Sequence, residues 1–152
     1  MLKYVNYDIV FQEVPNEVAL ALNISGCPCH CPGCHSSYLW QDIGEVLTPE
    51  VLDQFIAAND HISCVAFMGG DGDPIEVDNL ALYLHQRYPR LKVAWYSGRT
   101  IVSPYIDIRH FDYIKIGPYI AHLGPLNRRT TNQHFYRVVD GKLEDITSVF
   151  WH

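Results

Sequence analysis

No run of apolar residues in this chain approaches the roughly 20 needed to span a bilayer. The opening segment, from Met1 to Tyr7, has no apolar core of the signal-peptide kind, so neither a membrane anchor nor an export signal is expected. Basic charge is scarce: 11 Lys and Arg stand against 17 Asp and Glu, a net charge of −6. A nucleic-acid binder needs a basic footprint to displace counterions from phosphates, so that class of partner is excluded. There is no internal repeat, no low-complexity tract and no linker. The 152 residues are therefore expected to form one domain over 1–152, long enough to bury a core. Cysteines spread in pairs along the chain are also missing. The five present are odd in number and four are bunched together, which argues against a disulfide framework and for a reducing cytoplasm.

That bunch is the segment Gly26-Cys27-Pro28-Cys29-His30-Cys31-Pro32-Gly33-Cys34-His35. Glycine and proline force turns between closely spaced thiols, which suggests a metal or iron–sulfur site. Cys31-x2-Cys34-His35 fits c-type haem attachment, but that chemistry goes with export. Cys27, Cys29, Cys31, Cys34, His30 and His35 offer enough donors for a tetrahedral zinc, although no second Cys/His pair stands elsewhere. Cys27-x3-Cys31-x2-Cys34 offers three thiolates for a [4Fe–4S] cube with one iron left open, whereas electron carriers use four cysteines. Cys29 is taken as a non-ligand. Cys64, mid-strand, reads as a small buried hydrophobe.

The apolar pattern predicts strands over 7–14, 18–24, 62–68, 91–96 and 112–116. The first two form an N-terminal hairpin around Pro15-Asn16, and residues 36–40 suit a short helical turn. Thr48-Pro49-Glu50 starts a helix that stops near Asn59: a capping threonine, proline at the first helical position, and an acid in the first turn. A second helix is expected over 76–88, ended by Pro89. Asp140-Gly141 predicts the turn of a C-terminal hairpin over 135–139 and 146–151. Strands alternating with helices imply βαβ units and a mostly parallel sheet. Four strands in turn run into glycine-containing loops, and the cysteine loop lies on that same carboxyl edge, where parallel sheets bind ligands.

At these residues a resemblance enters. Cys-x3-Cys-x2-Cys after an early strand is the signature of the radical S-adenosylmethionine (SAM) superfamily, and Gly69-Gly70-Asp71 resembles its Gly-Gly-Glu/Asp element. Ser25-Gly26-Cys27, Cys31-Pro32-Gly33-Cys34, Trp95-Tyr96-Ser97-Gly98 and Arg129-Thr130-Thr131-Asn132-Gln133 extend the match over nearly the whole chain. Together they resemble the activating enzymes of anaerobic (class III) ribonucleotide reductases.

The resemblance implies an α/β fold, a partial (open) βα barrel of the radical SAM type: a mostly parallel sheet with N-terminal and C-terminal hairpins. It implies a [4Fe–4S] cluster on Cys27, Cys31 and Cys34, with SAM on the open iron. Gly33 and His35 flank Cys34 beside SAM, Gly69 and Gly70 approach its methionine end, and Ser97 lines the ribose or methionine side. Asp71 is the candidate acceptor for the SAM ammonium, with Asp73 the alternative. Lys115 stands where relatives often carry Asp-Gly; it neutralises a carboxylate or is a solvated strand end. Arg128, Arg129, Asn132 and Gln133 form a surface loop or touch a partner. The implied activity is an oxidoreductase one: SAM is cleaved reductively and a glycyl radical is generated on the large reductase subunit, with electrons from a low-potential donor such as a flavodoxin. An open barrel leaves the SAM edge uncovered, which suits a substrate that is itself a protein loop. The alternatives are an activase of another glycyl-radical enzyme, such as a formate-lyase type, or a non-catalytic zinc or electron-transfer module.

Overall fold

The computed structural model describes residues 1–26 and 43–151. Their framework is one eight-stranded sheet. In chain order its elements are β1 (Lys3–Val10), β2 (Ala19–Ile24), β3 (Glu45–Val46), α1 (Pro49–Ala58), β4 (Cys64–Met68), α2 (Pro74–Arg87), β5 (Lys92–Tyr96), β6 (Tyr113–Ile116), β7 (His134–Val139) and β8 (Lys142–Asp145). The strand order across the sheet is β3-β1-β2-β4-β5-β6-β7-β8.

The sheet is mixed, which corrects the expected fold. Pairings β2–β4, β4–β5 and β5–β6 are parallel, but β1–β2, β1–β3, β6–β7 and β7–β8 are antiparallel. Only two α-helices stand among the described residues, so the chain is not a helix-rich radical SAM βα barrel, partial or otherwise. The physical reason lies in the later connections. Between β5 and β6, Ser103-Pro104 interrupts the chain and a single 3-10 turn, Ile108–His110, is all that forms. Between β6 and β7, Gly117-Pro118 and Gly124-Pro125 break any helical run, so the chain turns back antiparallel.

The helices form as their ends dictate. Thr48 caps α1 by accepting the Val51 amide, with Pro49 at the first position, and α1 closes at Asn59. Asp73 caps α2 in the same way and Pro74 follows it. Both helices cover one face of the sheet. There Leu52, Ile56, Val77, Leu80 and Leu84 meet Leu22, Val65, Phe67, Val93, Trp95 and Ile114 in a single core. Each large side chain so buried contributes roughly 1.5–3 kcal/mol relative to exposure. No described helix is long and apolar enough to cross a membrane.

The opposite face carries small residues on its central strands, Ala19, Cys64, Ala66 and Ala94, ringed by Val14, Tyr113 and Phe135. That alternation of large and small leaves room above the sheet. A cavity of about 1060 Å³ lies there, bounded by Tyr96, Tyr113, Lys115, Gln133, Arg137 and Phe150, among others.

Several strand limits differ from the sequence pattern. β1 begins at Lys3 and ends at Val10, because pairing with β2 and β3 fixes its length, and 11–14 bends away. Asp140 and Gly141 both have positive φ, 50° and 73°, as a type I′ turn demands. The strand returning from that turn is Lys142–Asp145, not 146–151, and Thr147–Phe150 is a 3-10 turn whose Thr147 amide donates to the Asp145 carboxylate.

Candidate metal centre and ligand edge

The carboxyl ends of β2, β4, β5 and β6 lie along one edge. At the end of β2 the Ser25 amide donates to the Lys3 carbonyl at 3.0 Å, and the Ser25 hydroxyl donates to the Ile43 carbonyl. Ser25 thus ties together the two stems of the cysteine segment. Gly26 leaves with φ +71°, and Gly44, on the returning stem, has φ +94°; a Cβ on Gly44 would overlap the Tyr4 carbonyl. The metal candidates Cys27, Cys31 and Cys34, together with Cys29, Gly33, His35 and the expected turn at 36–40, lie outside the described residues.

β4 ends in Gly69 and Gly70, at φ +113° and +99°. The Gly69 amide donates to Tyr96 O at 3.1 Å, and Trp95 Nε1 donates to Gly69 O at 2.8 Å, so β4 and β5 are pinned where they finish. A side chain on Gly70 would meet Val77 at 2.7 Å, and one on Gly72 would meet the Gly26 carbonyl at 3.4 Å. The close approach leaves a pocket of about 280 Å³ beside Gly26, walled by Lys3, Ser25, Gly70, Gly72 and Asp73. It adjoins the stem from which the cysteines depart.

The two acids that competed for one role have different surroundings. Asp71 is buried, accepting the Ser97 hydroxyl on Oδ1 at 2.5 Å and the Gly98 amide on Oδ2 at 2.8 Å. Asp73 caps α2 and pairs with the Met1 ammonium, which holds its carboxyl below the usual range against the opposing effect of burial. Ser97 is itself buried and Arg99 N–H donates to its hydroxyl oxygen at 3.1 Å.

Lys115 is half-buried and tied to backbone, not a solvated strand end. Its ammonium donates to Ser97 O at 3.2 Å and to Gly117 O at 2.9 Å. Asn132 donates to Pro118 O at 3.0 Å and buried Gln133 sits against Gly117, so these two hold the turn after β6. Arg129 lies over the Trp151 ring at 5.8 Å. Gly69, Gly70, Asp71 and Ser97 are therefore brought to one edge, as expected. The clasps made by Ser25, Trp95 and Lys115 were not anticipated; they follow from which segments lie side by side in the sheet.

Among the described residues no group of three or more His, Cys, Asp or Glu is assembled to hold a metal. Cys64 pairs with Ala19 at the far end of its strand from the cysteine segment. Burial, chiefly, pushes its thiol well up, with Glu17 and Asp112 adding to the effect. Thiolate is the metal-binding form, so Cys64 is unsuited to the task. The donor set for a metal is thus the four thiols and two imidazoles of 27–42, a soft, sulfur-rich set that fits an iron–sulfur cluster.

Donor set and strand-edge placement together define an iron–sulfur protein. A family model for a 4Fe–4S single cluster domain matches residues 17–109, more than half of the 152. The chain belongs to that family. The match spans the cysteine segment, both helices and β5, so the zinc and haem readings give way to iron–sulfur. None of the curated proteins matches the chain. No solved structure does either.

Proposed function

We propose that the whole chain, 1–152, is one radical SAM unit that activates anaerobic ribonucleotide reductase. In this reading Cys27, Cys31 and Cys34 hold a [4Fe–4S] cluster through three of its irons. The cluster and SAM, when bound, supply a one-electron cleavage of the sulfonium that yields methionine and a deoxyadenosyl radical. The chain's own residues do the positioning. Ser25 and Gly44 fix the two stems of the cluster loop, and Gly26, at its departure, walls the pocket. Gly69 and Gly70 let the ligand's methionine end approach the backbone, which no side chain obstructs. Gly33 and His35 flank Cys34 on the ligand side, and Ser97 supports the ribose or methionine side.

The observation that carries this reading is the three-cysteine spacing on a segment leaving the same sheet edge as Gly69-Gly70. The partner proposed is the large catalytic subunit of the reductase, which receives a glycyl radical. A low-potential donor such as a flavodoxin supplies the electron, in a reducing cytoplasm. Anaerobic reconstitution should give about four irons per chain. Mixing with SAM, reductant and the large subunit should give deoxyadenosine and a glycyl doublet in electron paramagnetic resonance. Deoxyadenosine with no doublet would point to another glycyl-radical enzyme as substrate; none at all would sink the enzyme reading.

One observation favours a second reading. Cys29 is a fourth thiol in the same segment, and four-cysteine ligation suits a cluster that only carries electrons.

A further inference from the structure

The turn Ser97-Gly98-Arg99 hangs between three strand ends. From the β4 side, the Asp71 carboxylate accepts both the Ser97 hydroxyl, at 2.5 Å, and the Gly98 amide, at 2.8 Å. From the β6 side, the Ser97 amide donates to Lys115 O at 2.9 Å, Lys115 Nζ donates back to Ser97 O at 3.2 Å, and the Gly117 amide donates to Arg99 O at 2.6 Å. The Ser97 hydroxyl oxygen also takes the Arg99 amide at 3.1 Å, closing the turn on itself. A buried carboxylate is costly unless it is hydrogen-bonded, and bonds to an ionised acceptor are the strong ones. Asp71 is 7% exposed. It directly follows Gly70, which walls the pocket beside Gly26.

We propose that Asp71 is a positioning residue: it serves the ligand edge through Ser97 and Gly98, locking their turn to the end of β4, and not as the charged partner of a ligand ammonium. Any movement of Asp71 shifts the Gly70 wall and the 97–98 turn together. The proposal rests on the SAM reading only where ligand binding is measured; the lock within the chain is independent of it.

Two substitutions separate the roles. Asp71→Asn removes the charge but keeps the bonding pattern, because its carbonyl can accept from Gly98 while its amide donates to the second lone pair of Ser97 Oγ. Asp71→Ala removes both bonds. Hydrogen exchange at the Gly98 and Arg99 amides is followed in the full-length protein, and S-adenosylmethionine binding is measured by equilibrium dialysis after anaerobic reconstitution. Asp71→Ala should speed exchange at both amides about tenfold or more and weaken binding by a similar factor. Asp71→Asn should hold both within about threefold of the unaltered chain.

Binding lost equally in Asp71→Asn and Asp71→Ala, with Gly98 exchange unchanged in the former, would overturn the proposal in favour of a direct charge contact. Unchanged exchange in Asp71→Ala would overturn it as well. If Asp71→Ala does not fold, Ser97→Ala carries the same test: faster exchange at Gly98 and Arg99 supports the lock and unchanged exchange refutes it. If the unaltered chain binds no S-adenosylmethionine, the proposed function falls while the exchange measurement still decides the role of Asp71.

Discussion

Asp71 and Ser97 stand 26 residues apart in the chain and 2.5 Å apart in space. The contact exists because β4 and β5 are parallel neighbours, with Met68 level with Tyr96, so that whatever follows each strand emerges at the same edge. The cysteine segment emerges there too, from β2, whose Asn23 is level with Met68. The ligand edge is a product of register.

If three thiolates hold the cluster, Cys27→Ala, Cys31→Ala and Cys34→Ala should each lose the broad brown absorption of the reconstituted protein. Cys29→Ala should retain it, with iron and sulfide content unchanged. Loss of the cluster in Cys29→Ala, with the fold intact by circular dichroism, would favour the four-cysteine electron carrier.

The two glycines at the stems of the loop should differ in their tolerance of a side chain. Among the described residues a Cβ at Gly26 meets nothing within 4 Å, so Gly26→Ala should cost little beyond the left-handed backbone, about 1–2 kcal/mol. Gly44→Ala drives its methyl into the Tyr4 carbonyl and should cost about 3 kcal/mol or more, since backbone must move. Urea denaturation of the two variants should rank them in that order.

Cys64 should resist alkylation in the native protein. It is fully buried and its thiol is pushed up by that burial, so little thiolate forms and no reagent reaches it. Peptide mapping after iodoacetamide treatment should find Cys64 unmodified until the protein is unfolded. Modification at native conditions would mean that the start of β4 opens.

Acid should weaken the fold partly through Asp112. Burial works to raise this carboxyl, but hydrogen bonds from His85 and the Val93 amide, with the charges of His85 and Lys92, hold it below its ordinary value. A carboxyl lower in the folded state than in the unfolded one stabilises the fold fully above its unfolded pKa of about 3.9. That contribution is lost as pH falls through the lower, folded value. Asp112→Asn should therefore be less stable than the unaltered chain near neutrality and should lose less on acidification below about pH 4. Equal acid slopes for the two proteins in urea titrations would contradict the assignment.

Much of the edge could be read before any coordinates. Gly69, Gly70, Asp71 and Ser97 were expected together, because a short apolar strand ending in glycine announces a parallel-sheet edge. The helix start at Pro49 follows its capping Thr48, a local signal, whereas the second helix, expected from Glu76, starts two residues earlier at Pro74 because Asp73 caps it. What failed was the continuation of the βα pattern past β5. Ser103-Pro104, Gly117-Pro118 and Gly124-Pro125 carry the warning, yet a proline says where a helix stops and not which way the next strand runs. The strand expected over 146–151 failed similarly: its apolar residues pack into the second core through a 3-10 turn, with Ile146 and Phe150 against Phe135.

Residue types and their spacing were therefore sufficient to point to an iron–sulfur site: four sulfur donors stand close together in the chain between Cys27 and Cys34. They were sufficient because ligand choice and capping depend on neighbours within a few residues. The direction of β7 against β6, the clasp of Ser25 on Ile43, and the partners of Asp71 and Asp73 depended on which strands lay side by side. Those pairings are settled by burying large side chains against two helices on one face and small ones on the other. That is a property of the whole sheet, and no short stretch of the chain contains it.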